Sequence, residues 1–293
     1  MLFNYLKIGF RNLLKYRTNS IIHILGLAIG LAAFLLINEY VKFEESYDRF
    51  FPKSEQLYRI TTDFVTDGVV HTQDAMSYAP AGQALVDALP EAIASTTVLE
   101  REAVNFRSKG KVFLEDILAA DSSFLNIFKY ELLAGDPNNL LTKPLTMVLT
   151  ERYAKKYFGN ENPIGQMIEH ISYGDSNEPI EVTGVIANPP ENTHLKFDML
   201  LSLVTFQEKM TNDAWGGNNY YSYLVLDRKA DIAAVNQKLP ALSKQLIGSD
   251  GEDIFNLQSV LDIHLHSDMT FEPEIHGSSR IVNFLRIISI FIL

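Results

Sequence analysis

The sequence predicts an α+β domain between two transmembrane helices, of which the second is cut short by the end of the sequence. Two observations predict the membrane helices. Residues 21–37 (IIHILGLAIGLAAFLLI) carry no formal charge, and residues 281–293 (IVNFLRIISIFIL) are apolar except at three positions. The third observation is the region between them, in which strand-like and helix-like hydrophobic patterns alternate.

The first apolar segment is long enough to be a membrane anchor. A transmembrane helix needs about 20 mostly apolar residues to cross about 30 Å of hydrocarbon, and residues 19–41 supply them. The residues before it include basic side chains but no acid, which predicts a cytoplasmic amino terminus and an outward location for everything after Val41. The basic residues are Lys7, Arg11, Lys15 and Arg17.

A cleaved signal peptide is the alternative for this segment. Signal peptides have an apolar core of roughly 7 to 15 residues followed by a small-x-small cleavage site. The apolar run here is longer, and its end (FLLINEYVKFEES) contains no such site. The sequence therefore favours an anchor that stays on the mature protein.

Residues 1–18 are predicted to form a basic amphipathic helix on the cytoplasmic side. Apolar side chains recur at helical spacing, and the basic ones form a separate stripe. Such a helix can lie along the inner membrane surface or pack against a partner protein, and the pattern leaves both open. The apolar positions are Phe3, Leu6, Phe10, Leu13 and Leu14.

The carboxyl-terminal segment, residues 280–293, is predicted to be the start of a second transmembrane helix. Asn283, Arg286 and Ser289 recur at every third position and form one stripe, as expected for a span that faces other helices. The segment is too short to cross a bilayer, so we expect the sequence to end within the span. The alternative is an amphipathic helix that completes the protein.

Residues 42–279 have the composition of a globular region large enough for its own core. The whole chain has 25 basic and 36 acidic residues, and without the four basic residues before the first span the remainder has 21 against 36, a net charge of −15. The surface of this remainder argues against binding to nucleic acid and against docking on anionic lipid. Cysteine is absent, which suits the bacterial periplasm because such a domain needs no disulfide and carries no oxidisable thiol.

The hydrophobic pattern of this region predicts strands separated by helices. Thr150 is predicted to cap a helix that Gly159 ends, and Pro90 to close a helix over 80–89. A longer amphipathic helix is predicted over 231–247. The predicted strands are 56–64, 95–98, 104–106, 111–114, 144–150, 166–171, 180–186, 197–203 and 220–226.

Four stretches of sequence, in this order and between two apolar segments, resemble the periplasmic core domain of MacB-type and FtsX-type ABC transporter permeases. None of them is a catalytic signature, and the resemblance covers essentially the whole chain. The stretches are YDRFFPKSEQLYRI at 47–60, LTERYAKKYFGNENPIGQ at 149–166, VTGVIANPPENTHLKFDML at 182–200 and LDIHLHS at 261–267.

The resemblance implies an α+β periplasmic domain of Porter and Sabre type, anchored in the bacterial inner membrane. It places a Porter-like part at about 50–105 and 215–276 and a Sabre-like part at about 106–214. It further implies a cytoplasmic ABC ATPase as partner, a second permease copy, and helices that transmit motion outward to move an unidentified cargo. A periplasmic or outer-membrane partner is compatible with it.

The sequence agrees with an ATPase that is separate from the permease. It has no G-x-x-x-x-G-K-[ST] phosphate loop, so ATP hydrolysis is expected on a separate subunit or domain, and no enzyme activity or cofactor is expected on this chain. Small residues at Gly26, Gly30 and Ala33 predict a face on which another helix packs closely. The polar residues after the span predict a helical stalk, which we place at Val41, Glu44 and Tyr47 and which could carry displacement.

His264, His266 and Asp268 are a weak candidate for a metal site, because alternate residues of a strand share a face and these types ligate zinc. No fourth ligand is indicated by the spacing, so the expectation is no metal.

A different class of function also stays open, namely a membrane-anchored extracytoplasmic sensor that binds a ligand. Further spans after Leu293 would favour the permease, and a cytoplasmic signalling module the sensor. An anchored hydrolase is disfavoured because the sequence has no H-E-x-x-H, G-x-S-x-G or cysteine nucleophile.

Overall fold

A computed structural model describes residues 2–171, 177–212, 214–248 and 252–292. The chain divides into two compact units. The helical unit consists of Met1–Ser46 and Gly277–Leu293, and the sheet unit is Tyr47–His276.

The described residues form nine α-helices and eleven strands, with short 3₁₀ turns at Ser54–Gln56 and Leu203–Phe206. The helices are α1 (Leu2–Lys15), α2 (Arg17–Glu45), α3 (Ala81–Ala88), α4 (Phe124–Phe128), α5 (Glu151–Phe158), α6 (Gln207–Asn212), α7 (Ile232–Ile247), α8 (Val260–His266) and α9 (Ser279–Ile292). The strands are β1 (Leu57–Thr66), β2 (Val69–Asp74), β3 (Ala92–Ser108), β4 (Lys111–Ala120), β5 (Leu132–Gly135), β6 (Thr146–Thr150), β7 (Met167–Ile171), β8 (Asn177–Ile186), β9 (Met199–Ser202), β10 (Tyr220–Leu226) and β11 (Ile254–Ser259).

The helical unit contains one helix that is long and apolar enough, among the described residues, to cross a bilayer. This helix, α2, has 29 residues, which corresponds to about 43 Å at 1.5 Å per residue. None of its most apolar 18-residue window is buried within the chain. A core helix of a water-soluble protein would bury that surface, so its exposure here is what a lipid-facing helix requires. The helix α9 packs along α2 within the same unit.

The sheet unit is built on one eleven-stranded mixed sheet. Its strand order is β11-β1-β10-β3-β4-β9-β6-β8-β5, with β2 paired to β1, and β7 paired to both β3 and β8. The 17-residue strand β3 pairs with β10 along its first half and with β7 along its second half. Helices pack on this sheet through three clusters of buried apolar side chains, so the unit has an extensive core.

Local sequence explains most of the element boundaries. The hydroxyl of Thr150 caps α5 by accepting from Tyr153 N–H, and Gly159, with φ of +65°, ends it. Asp231 caps α7 in the same way. Two hairpins close with two-residue turns of positive φ, Asp67-Gly68 between β1 and β2 and Lys109-Gly110 between β3 and β4. Their backbone twist matches that of the flanking strands.

The predicted fold class, an α+β periplasmic-type domain, is confirmed, but several predicted elements are wrong. The separate strands 95–98 and 104–106 are parts of the single strand β3, and the sequence analysis missed β2, β5 and β11. The predicted boundary between the Porter-like and Sabre-like parts at 105–106 falls inside β3, and both parts lie in one compact unit. That boundary therefore stays a prediction.

Candidate functional site

The four basic residues predicted to face the cytoplasm lie at the start of the helical unit, and their side chains are exposed. Lys7, Arg11 and Lys15 belong to α1, which ends at Lys15 rather than running to residue 18. Arg17 is the first residue of α2, because the backbone breaks the helix at Tyr16. The basic cluster thus extends across two helices.

Of the two glycines predicted to pack against another helix, only Gly30 has a neighbour among the described residues. A Cβ added there would lie 3.6 Å from the carbonyl oxygen of Ile292 and 3.7 Å from its Cγ2. A Cβ added at Gly26 would meet nothing within 4 Å. Ala33 is partly exposed. The face around Gly26 is therefore open to a helix from outside the chain, and its packing role stays a prediction.

The predicted stalk is continuous with the span up to Glu45. Val41 and Glu44 lie on α2 and are buried, whereas Tyr47 lies beyond the end of the helix, so its assignment to a helical stalk is wrong. At the last residue of α2, the carboxylate of Glu45 forms an ion pair with the guanidinium of Arg286 on α9. This pair joins the end of α2 to the polar stripe of α9.

The sheet unit begins with a buried polar cluster that we call the Asp48 anchor, formed by Asp48, Thr193, His194 and Tyr223. Asp48 is fully buried and has φ of +59°, a conformation that aspartate tolerates better than most residues. Its Oδ1 accepts from the Thr193 hydroxyl at 3.0 Å and from the His194 backbone N–H at 3.1 Å, and lies 2.9 Å from His194 Nδ1. His194 Nε2 is 2.9 Å from the Tyr223 hydroxyl on β10.

Aromatic packing holds the residues just before and just after Asp48 in place. The ring of Tyr47 stacks on the ring of His264, with 3.3 Å between centroids and an interplanar angle of 1°. Phe51 is buried against Phe128, with ring centroids 4.8 Å apart. Burial also raises the pKa of Tyr223 well above its ordinary value of 10.0, so its hydroxyl stays protonated. The first residues of the sheet unit are therefore fixed in its core.

A second cluster, which we call the Arg59 anchor, lies close to the end of the sheet unit and comprises Arg59, Gln258, Ser267 and Glu272. Arg59 is completely buried on β1. Its two terminal nitrogens donate to the two carboxylate oxygens of Glu272 at 2.5 and 2.6 Å, and one of them donates also to Gln258 Oε1 at 2.5 Å. The Ser267 hydroxyl donates to Glu272 as well.

The bidentate geometry makes Arg59 and Glu272 a strongly coupled pair. Burial raises the pKa of Glu272, but the hydrogen bonds and charge of Arg59 outweigh it and hold that pKa below the ordinary value of 4.5. Nearby, the Tyr221 hydroxyl donates to the carbonyl of Phe271 at 2.8 Å. The chain is thus fixed to the core shortly before it leaves the sheet unit.

The residues proposed as a metal site are not brought together. Segment 260–266 is the helix α8, not a strand, so His264 and His266 point away from each other. His264 is buried against Tyr47, whereas His266 is exposed with its Nδ1 3.6 Å from Asp262. In the part of the chain that the structure describes, no three histidine or acidic side chains are grouped so that they could hold a metal ion.

Sequence reasoning missed both anchors, although signals for them were present. Arg59 shares the period-2 face of β1 with buried Leu57, and a charge on a core-facing position is a sign of a buried partner. Asp48 and His194 lie inside two of the stretches that carry the family resemblance. Their pairing could not be inferred, because it joins residues far apart in sequence.

Comparisons with known proteins agree with this architecture. The family model of the MacB-like periplasmic core domain matches residues 20–242. A crystal structure of a domain from a protein described as a permease of Porphyromonas gingivalis has a TM-score of 0.62 and 20% identity, covering 71% of this chain and 92% of that chain. The periplasmic region of MacB from Actinobacillus actinomycetemcomitans has a TM-score of 0.51 and 16% identity, covering 72% and 91%. None of the curated proteins matches the chain in sequence.

Proposed function

Because the chain belongs to the MacB-like periplasmic core domain family of ABC transporter permeases, we propose that it couples ATP hydrolysis in the cytoplasm to movement of its periplasmic domain. In this proposal the amino terminus is cytoplasmic, the membrane is the bacterial inner membrane, and α2 carries the displacement. The movement serves export or extraction of a cargo. The ATPase is a separate partner subunit or domain, and a second permease copy packs against the open face around Gly26.

The observation that supports this proposal is the continuity of α2 combined with the Asp48 anchor. The helix is about 43 Å long, whereas the hydrocarbon core is about 30 Å thick, so it is long enough to extend beyond the membrane. Only Ser46 and Tyr47 separate its last residue, Glu45, from the buried carboxylate of Asp48. Little loose chain is available to absorb a displacement of the helix.

The return connection is longer, with residues 273–278 between Glu272 and α9. Glu272 is held by Arg59 inside the sheet unit, and the chain enters α9 at Ser279. Within the helical unit, α9 is in turn joined to α2 by the ion pair between Glu45 and Arg286. Each end of the sheet unit is thus held by a buried polar contact, Asp48 at its start and Glu272 with Arg59 near its end.

An interruption of α2 tests the proposal directly. Two glycines inserted after Glu44, one residue before the end of α2, should uncouple the helix from the Asp48 anchor, because glycine adds the flexibility that this short connection lacks. The matched control is the same insertion after Asn138, in an exposed turn of the sheet unit. A dye attached to Ile93→Cys, in a chain with no other cysteine, reports movement of the sheet unit.

In the complex with the ATPase, we expect the insertion after Glu44 to leave assembly and ATP hydrolysis intact but to abolish the ATP-dependent change in dye fluorescence. The insertion after Asn138 should leave that change in place. A full fluorescence response with the interrupted helix would show that motion does not travel along α2, and the proposal would fail.

A further inference from the structure

One edge of β4 is unpaired along most of its length. Its whole length pairs with β3, but on the other side only Leu118–Ala120 pair with β9. Residues 111–117 have no strand on that side among the described residues. Two of the side chains in this stretch are apolar and largely exposed, Val112 at 56% and Leu114 at 68%. Exposed apolar side chains on a free edge are unusual, because native proteins protect such edges with charges, bulges or a cover.

Electrostatics explains why β9 separates from β4 here. The two strands are parallel with Leu118 opposite Leu200, so continuing the register would place Asp116 opposite Asp198. Like charges that face each other across a ladder are destabilising. Asp198 is instead bound by Arg152, whose Nη2 lies 2.6 Å from its Oδ1, and its carbonyl accepts from Thr150 N–H of β6. The chain before β9 therefore follows β6 and leaves β4.

The separation opens a groove of about 510 Å³ beside the free edge. Leu114 and Asp116 line one side, and Arg152, Lys196 and Asp198 line the other. The lining includes five carboxylates, of which Asp198, Glu191 and Glu115 pair with Arg152, Lys196 and Lys156, so the acidic character beside the edge depends chiefly on Asp116. Asp116 is exposed and forms no ion pair with any described residue.

The inner side of the groove is rigid. Glu115 points inward and accepts from the hydroxyls of Tyr153 and Tyr157, each at 2.9 Å, and from Lys156 Nζ at 2.6 Å. These contacts fix α5 against β4 and satisfy the inward charge. The edge is thus preformed, which lowers the entropic cost of adding a strand to it.

We propose that this edge binds an extended segment of a basic polypeptide as an additional β-strand. Main-chain hydrogen bonds to residues 112–116, about 17 Å of strand, would supply the pairing. An apolar side chain of the segment would cover Val112 and Leu114, and a lysine or arginine would pair with Asp116. The inference does not depend on the proposed coupling, because it concerns a partner of the sheet unit alone.

The test uses the full-length chain in lipid nanodiscs and a fluorescein-labelled dodecapeptide of alternating lysine and threonine or valine. The control peptide carries glutamate in place of lysine. Anisotropy measures binding, and hydrogen exchange locates it. We expect the lysine peptide to bind and to slow amide exchange at 112–116, and the glutamate peptide not to bind.

Asp116→Lys should weaken binding about fivefold or more, since a cross-strand charge pair is worth up to about that factor and the change reverses its sign. Asp87→Lys makes the same change on the exposed side of α3 and should alter binding less than twofold. In the cysteine-free chain under mild oxidation by oxidised glutathione, Leu114→Cys should form a disulfide with a cysteine-ended lysine peptide, whereas the control Ile93→Cys, at a position that is also exposed, should not.

Three results would overturn the inference. One is absence of binding at millimolar concentrations of the peptide, which would show that the edge does not accept an additional strand. Another is equal weakening by Asp116→Lys and Asp87→Lys, which would indicate diffuse attraction to an acidic protein. The third is protection of 112–116 without peptide that rises with protein concentration, which would mean that the occupant is a second copy of this chain.

Discussion

The Arg59 anchor can be tested by removing the charge of one partner. In Glu272→Gln, the side chain keeps its shape but loses its charge. One of the two carboxylate oxygens that accept from Arg59 is replaced by an NH2 group, which can only donate. Arg59 then stays completely buried without a counter-charge, although Gln258 still accepts one of its hydrogen bonds. The variant therefore isolates the cost of an uncompensated charge in the core.

Breaking a buried ion pair on one side costs about 3 to 5 kcal/mol. For a unit of this size, 1 kcal/mol lowers the melting temperature by about 2 to 4 °C, so we expect a fall of roughly 6 to 20 °C. The matched control is Glu169→Gln, which breaks the exposed pair with Arg107, whose side chains are 42% and 48% exposed. Exposed pairs contribute less than about 1 kcal/mol.

Urea unfolding of the full-length chain in micelles measures the difference. The chain has one tryptophan, Trp215, whose ring lies 5.7 Å from that of Tyr78 and 6.4 Å from that of Phe255 inside the sheet unit, so its fluorescence reports unfolding of that unit. The double variant Arg59→Met with Glu272→Leu should recover at least about 2 kcal/mol of the loss, because both charges are then removed. If Glu272→Gln costs no more than Glu169→Gln, the pair does not hold the sheet unit together.

Two further predictions follow from the same structure. The pKa of Glu272 is held below 4.5 in the folded state, so the stabilisation that its charge gives to the fold is complete above that pH and is lost as the pH falls through the folded-state pKa. The difference in unfolding free energy between wild type and Glu272→Gln should therefore shrink below about pH 4.5. A difference that is independent of pH would contradict the assignment. In the helical unit, Gly30→Leu should loosen α9 from α2, because Ile292 lies within 4 Å. Gly26→Leu should leave that pair of helices unchanged and disturb only the packing of the second copy that we propose. Cysteine crosslinking between α2 and α9, and between copies, measures both effects, and equal loss of the α2 to α9 crosslink in both variants would refute the distinction.

Elements whose signals are local were predictable from the sequence. The strand β10 matches the predicted range 220–226, the helix α5 begins at the predicted cap Thr150, and α7 matches the predicted helix 231–247 except that Asp231 is its cap. In each case the capping residue or a run of β-forming residues acts within a few positions. The hairpin of β1 and β2 was missed although Asp67-Gly68 is a strong turn signal, because the short strand β2 is mostly exposed.

The errors occurred where distant residues decide the structure. The charged stretch around residue 101 interrupts the alternation of β3, yet pairing with β10 before it and with β4 and β7 after it continues the strand, with a register shift between Leu99 and Glu102. The segment at 260–266 looked like a strand, but Ser259 caps it as a helix, with its hydroxyl accepting from Leu261 N–H. The partners of Asp48 and Arg59 are 146 and 213 positions away in sequence, and one sequence contains no information about which pairs form.

The anchors and the groove belong to one continuous ladder of strands. Arg59 lies on β1, Tyr223 of the Asp48 anchor lies on β10, and β10 pairs with the first half of β3, whose residues from Val98 onwards pair with β4. A strand pairing cannot slip by one residue without exchanging the buried and exposed faces, so we expect the register of this ladder to be kept when the sheet is displaced. A displacement delivered to the Asp48 anchor would therefore reach the free edge of β4 without any change in the groove itself. A basic segment bound there would be carried with the sheet, and its affinity would not need to change during the cycle.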